Sequence, residues 1–169
     1  MRKLYIQGKV FSITNKMDVY DETQTPVFQV ESGLFTLGRQ MHIYDMNGAE
    51  RAQVNQKPFS IPPRFEVLIG GEMQAEIRRK FTFFRPEYEI EGTDWHVDGE
   101  VFAHDYSITN SSGTMVAQIH KAWLSWGDAY EVDIYQDYSE ILVLATVLAI
   151  DTLLDQASHS SGSSSSNSR

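Results

Sequence analysis

The chain has 169 residues, 41% of them hydrophobic and 12% aromatic, which is enough to bury one sizeable core without a second domain. It contains no cysteine, which excludes disulfides, thiol catalysis and cysteine-ligated zinc and fits a reducing cytoplasm. A formal net charge of −9 argues against a partner held mainly through its phosphates, so nucleic acid is not an expected ligand.

The N-terminus, MRKLYIQGKVF, passes from a basic start straight into alternating residues, and no secretory signal is expected there. The apolar period is two from residue 3 to residue 135. Leu4 and Ile6, Phe11 and Ile13, Phe28 and Val30, Val67 and Ile69, Trp95 and Val97, Tyr106 and Ile108, and Val132 and Ile134 each share one face of a short run. Such runs are half-buried antiparallel strands. Gly8, Gly33, Asn47-Gly48, Gly70-Gly71, Gly92, Gly99 and Asn110–Gly113 separate them at hairpin spacing, and about twelve strands fit. Pro26, Pro58, Pro62, Pro63 and Pro86 lack the donor that a ladder needs and mark strand starts, edges or connections.

A pattern of glycine, three residues, alanine, one residue and then valine or isoleucine occurs at Gly48-Ala52-Val54, Gly71-Ala75-Ile77 and Gly113-Ala117-Ile119. It describes a hairpin turn that needs φ > 0, followed by a strand whose small and β-branched residues face inward. Two residues further along the same faces stand Gln56, Arg79 and Lys121, provided that no bulge intervenes.

The densest basic cluster is Arg78-Arg79-Lys80 with Arg85 close behind, a candidate site for the phosphate groups of a lipid or another anion. The opposing reading is a solvated strand face beside Glu72, Glu76 and Glu87. His42, His96, His104, His120 and His159 show no metal-ligand spacing, and neither a metal nor a cofactor is expected. The chain has no GxSxG elbow, phosphate loop or dinucleotide fingerprint, so an enzyme is not expected. Trp123 and Trp126 suit a membrane interface or the mouth of a barrel.

Asp137-Tyr-Ser139-Glu140 can start a helix, with Asp137 and Glu140 as a capping box and Ser139 as the rival cap. Ile141–Leu154, ILVLATVLAIDTLL, is apolar on nearly every side, so this helix must be surrounded by protein or lipid. At about 1.5 Å per residue it spans roughly 21 Å, short of the ~30 Å of a bilayer core, which favours enclosure by sheet over a transmembrane segment. Many strands around one such helix imply a mainly β fold: a closed antiparallel barrel enclosing a hydrophobic C-terminal helix. Asp151, inside that helix, needs a partner; Lys121 is the first choice for a structural ion pair and Arg79 the second. The domain is expected over residues 1–156, and the serine-rich 157–169 is expected to be a disordered tail.

Gly113-Thr-Met-Val116-Ala117-Gln-Ile119-His-Lys121, Trp123 to Trp126, Asp128-Ala-Tyr130-Glu-Val132-Asp-Ile134 and Leu144-Ala-Thr-Val-Leu-Ala149-Ile150-Asp151 resemble the LURP-one-related group of tubby C-terminal-like domains. Tyr44-Asp45-Met-Asn-Gly48 and Phe81-Thr-Phe-Phe84 extend the resemblance to about residues 3 to 155. The resemblance implies a barrel of about twelve strands threaded by a central C-terminal helix. Its wider relatives include phosphoinositide-binding tubby domains and phospholipid scramblases, but no general activity comes with the family name. The expectation is a non-enzymatic binding or scaffold module that engages an anionic phospholipid or a protein partner, cytoplasmic and peripheral to the membrane. The alternative is a membrane-active, scramblase-like protein whose C-terminal helix enters lipid.

Overall fold

A computed structural model describes residues 1–7, 16–35, 38–80, 82, 87–124, 127–135 and 138–161. Gly8, Phe11, Ile13, Phe81, Phe83, Phe84, Arg85, Pro86, Trp126, Asp137 and the tail beyond Ser161 lie outside the described residues, as does the side chain of Trp123. The strands are β1 (Arg2–Gln7), β2 (Lys16–Tyr20), β3 (Pro26–Phe35), β4 (Gly38–Asp45), β5 (Glu50–Gln56), β6 (Arg64–Ile69), β7 (Glu72–Lys80), β8 (Glu87–Glu91), β9 (Trp95–Glu100), β10 (Asp105–Asn110), β11 (Met115–Leu124) and β12 (Gly127–Ile134). They close into one barrel in which each strand pairs with its sequence neighbours and β1 pairs with β12. The helix α1 (Glu140–Ser161) follows.

Closure follows from the alternation. Leu4, Ile6, Val30, Ile43, Val54, Val67, Ile77, Ile108, Ile119 and Val132 are all fully buried on the inner face, and a closed sheet leaves no unpaired edge. The helix fills the lumen: every residue from Val143 to Leu154 is buried. It packs most closely against β5, β6 and β7, where Ala52 and Ala75 leave room for a helix backbone. Trp95, Tyr106 and Tyr130 span the wider gap on the β9–β12 side.

The turns explain the repeat. Asp45 Oδ1 accepts from the N–H groups of Asn47 and Ala49, and Gly48 (φ +81) donates its N–H to the Asp45 carbonyl. Asn110 does the same for Ser112, Thr114 and Gly113 (φ +79). Each is a tight turn followed by a left-handed residue, and the register slips just beside it, between Ile43 and Tyr44 and between Ile108 and Thr109. The slips lie at the turn ends, so the inward register of Ala52–Gln56, Ala75–Arg79 and Ala117–Lys121 runs unbroken to the other end of the barrel.

Two glycines expected in turns lie within strands instead. Gly33 pairs with Gln40 in the β3–β4 ladder, and Gly99 pairs with Tyr106 in the β9–β10 ladder. Gly99 has φ +121, and a Cβ there would sit 2.7 Å from the Asp105 carbonyl oxygen and 2.8 Å from Tyr106 Cα. Gly99→Ala is therefore expected to lower stability by about 1–3 kcal/mol in urea unfolding, because neither φ nor the backbone contact can relax cheaply.

Ser139 is the helix cap. Its Oγ accepts from the Leu142 N–H at 3.3 Å, while Glu140 is the first helical residue and accepts from Arg2 Nε at 2.8 Å. The helix also outruns the expected domain end at Gln156. Ala157–Ser161, expected to be disordered, are helical, with Ser158 Oγ donating to the Asp155 carbonyl and His159 3.5 Å from Asp155. Packing ends near Leu154, but backbone bonds and local side-chain contacts carry the helix onward.

Candidate functional site at the rim of the barrel

The barrel has two unlike ends. The tight turns after β2, β4, β6, β8 and β10 lie at one end, where α1 begins; the connections after β5, β7, β9 and β11 lie at the other, which we call the rim. The helix runs toward the rim, carrying Asp151 to its inner wall.

The unbroken registers place Gln56, Arg79 and Lys121 on that wall. Arg79 is opposite Tyr88 and Lys121 is opposite Tyr130, and both tyrosines are buried inward. Gln56 Oε1 accepts from the Arg39 backbone N–H at 3.1 Å and from Gln156 Nε2 at 3.3 Å, tying the end of α1 to β4 and β5.

Asp151 does not pair with Lys121 or Arg79. Its Oδ1 lies 2.9 Å from Nε2 of His104, the left-handed residue (φ +51) that follows the 3-10 turn Val101–Ala103 between β9 and β10. Lys121 shares the inner face at the end of its strand and is exposed, and its charge is felt at His104. Nor is Asp151 simply an ionised group. Burial pushes its carboxyl up to about 7, helped by the nearby Asp155 charge, while burial and then Lys121 hold His104 below the usual imidazole range. Both environments disfavour charge, so the contact is best described as a hydrogen bond anchoring α1 to the rim turn.

Around this pair stand Tyr88, Tyr106 and Tyr130, and the His104 and Tyr130 rings are 4.7 Å apart. Burial raises all three phenols, Tyr88 to about 12, and the Asp151 charge reinforces the shift. The Tyr88 and Tyr130 hydroxyls and Arg79 Nε are buried without hydrogen-bond partners among the described residues. Groups of this kind take water or a ligand, since leaving one unmet costs about 1–3 kcal/mol.

The expected basic cluster is divided by the strand's alternation. Arg78 points outward, with Nε 2.7 Å from Glu89 and a guanidinium nitrogen 3.0 Å from Glu91. Lys80 is also outward, exposed and 3.7 Å from Glu89, whereas Arg79 faces the interior. Arg85 lies outside the described residues. The acidic neighbours are thus mainly Glu89 and Glu91 on β8, because antiparallel pairing sets β8 opposite β7.

On the outer wall, His120, Glu131 and Asp133 each offer a ligand atom within 4.8 Å of the others. The Lys3 ammonium already pairs with both carboxylates, 3.0 Å from Asp133, and a cation would have to displace it.

Sequence reasoning missed His104 as the partner of Asp151 and the tyrosines as its surroundings. The same-face spacing of Tyr88 with Ile90 and of Tyr130 with Val132 is a usable signal for the tyrosines. His104 stands in a connection, which periodicity cannot place.

A sequence profile of the family described as LURP-one-related matches residues 2–151. The Bacillus subtilis protein YxjI, described as uncharacterized, is 30% identical over 154 residues, covering 91% of this chain and 94% of that one. An Arabidopsis thaliana protein solved by X-ray crystallography superposes with a TM-score of 0.66 at 16% identity over 90% of each chain, a likeness of fold.

Proposed function

The chain belongs to the LURP-one-related family, and from that premise we propose that it is a non-enzymatic binding module that docks its rim on an anionic phospholipid surface. The observation that carries this reading is the pair of bulky side chains that the rim holds in water, Phe59 and Ile61, beside Lys57 and Arg64. The rim carries Lys16, Lys57, Arg64, Lys80 and Lys121, of which Lys16 pairs with Glu31, Lys57 with Glu66 and Glu76, Arg64 with Glu76 and Lys80 with Glu89, and it also bears Glu87, Glu100 and Asp105. It also carries exposed Phe59, Ile61 and Phe102. The opposite end holds Glu22, Asp45, Glu50, Glu72, Glu91 and Asp94 with Arg2 and Arg51, and the apolar residues it exposes are the methionines Met1, Met46 and Met73. A chain of net charge −9 is repelled by an anionic surface on average, so docking needs the apolar contact as well as the exposed Lys80 and Lys121.

The reading is peripheral. The helix has the length and hydropathy of a membrane-spanning segment, but in this structure the barrel buries it from Val143 to Leu154. The wild-type protein is expected to co-sediment with phosphatidylserine-containing vesicles at low salt, less at moderate salt, and not with neutral vesicles. Exposed charges are screened over about 8 Å at physiological ionic strength. Reversing the exposed Lys80 and Lys121 together to Glu should weaken binding at least about tenfold, since each basic residue near such a surface contributes about 1 kcal/mol. Absence of anionic-vesicle binding at low salt refutes the reading.

A further inference from the structure

We infer that the β5–β6 connection is a preformed apolar wedge that enters the acyl region of that anionic bilayer, an inference that rests on the docking proposed above. Phe59 is 95% exposed and Ile61 is 89% exposed, at the tip of a connection only seven residues long, 57–63. Single exposed apolar side chains are ordinary. Two bulky ones at the apex of a braced loop are not a consequence of a missing core position, because the loop is built to hold them out.

The brace is visible in its bonds. The Lys57 N–H donates to the Arg64 carbonyl at 2.8 Å, closing the base. Ser60 Oγ donates to the Lys57 carbonyl at 3.0 Å and accepts from the Arg64 N–H at 3.2 Å, pinning the middle of the loop to that base. Pro58, Pro62 and Pro63 restrict the remaining backbone. Phe59 itself sits at φ +56, a left-handed conformation that glycine or asparagine adopts at less cost. A bulky aromatic ring held in strained backbone and left in water has no folding role in this structure. It does have the form of a side chain placed for insertion.

Shape and neighbouring charge together point to the occupant. Lys57 and Arg64 flank the wedge, paired at its base to Glu76 at 3.1 and 2.9 Å and so held beside it. Exposed Phe102 on the β9–β10 connection is a second apolar point at the same end of the barrel. Narrow protrusions suit a surface that yields around them, and cations beside them suit phosphate-bearing headgroups above an apolar layer.

The absence of cysteine makes a direct test simple, because Ile61→Cys accepts one environment-sensitive fluorophore with no competing site. Phosphatidylserine-containing vesicles should shift its emission to the blue, raise it severalfold and allow quenching by lipids brominated in the acyl chains. A label at Glu22→Cys, in the turn after β2 at the acidic end, should report water throughout. In unlabelled protein, Phe59→Ser with Ile61→Ser should leave the thermal midpoint unchanged or higher and weaken vesicle binding about tenfold or more. Vesicles that sediment the protein while the Ile61→Cys label stays in water overturn the wedge and leave docking standing. Failure of the wild-type protein to sediment overturns both. A blue shift without lipid that grows with protein concentration assigns the loop to a second copy of the chain and overturns the bilayer as its occupant.

Discussion

Leu148→Asp is expected to unfold the domain. Leu148 is fully buried at the middle of α1, on the axis of the barrel. Removing a core leucine typically costs about 2–5 kcal/mol, and an unpaired carboxylate in its place adds several more. A whole domain is stable by only about 5–15 kcal/mol, so the sum is comparable with everything available. The measurement is a thermal or urea transition alongside Leu148→Met, which conserves volume and should keep a cooperative transition near that of the wild type. A soluble Leu148→Asp protein with an unchanged midpoint would mean that the helix is not enclosed.

Asp151→Asn is expected to stabilise the protein at alkaline pH relative to the wild type. The Asp151 carboxyl is 95% buried and raised from 3.8 to about 7. A group whose folded pKa is raised contributes its full stability below the unfolded value, and that contribution is lost as pH rises toward the folded one. The wild type should therefore lose ground to the variant between about pH 4 and pH 7 and then run parallel to it. A shift of about three units corresponds to about 4 kcal/mol at most. Asparagine keeps a polar group for His104, and the imidazole titrates in both proteins. Its own depressed pKa acts in the opposite sense, removing stability as pH falls below about 6.5, and largely cancels in the difference. Urea unfolding of both proteins from pH 4 to 8 reads the effect, and a pH-independent difference would show that Asp151 is not held in a charge-excluding site.

The helix anchor also changes what a mutation series must address. A design pairing Asp151 with Lys121 would alter an exposed lysine. The informative partner is His104, on a connection that joins α1 to the turn bearing Phe102.

Most of the architecture was legible in the order of residue types. Period-two alternation from Leu4 to Ile134, the repeated glycine–alanine spacing and the all-round apolar Ile141–Leu154 specify a closed sheet around a helix, because strand faces and a featureless helix surface can be buried only against each other. Those same registers placed Arg79 and Lys121 on the inner wall. The site was less legible, for reasons that lie in geometry. Alternation sends Arg78 and Lys80 to one face and Arg79 to the other, so three adjacent cations are not one patch. A carboxylate in a helix chooses its partner by distance, and only the folded chain brings His104, 47 residues away, to 2.9 Å. Two kinds of residue resist a one-dimensional reading: Gly33 and Gly99, which stand inside strand ladders rather than in turns, and Phe59 and Ile61, whose exposure depends on a brace of hydrogen bonds. Sequence pattern determines which side chains face a core because the periods of strand and helix are local; which groups meet across that core, and what the two ends of the barrel present to their surroundings, is decided by closure, which is not.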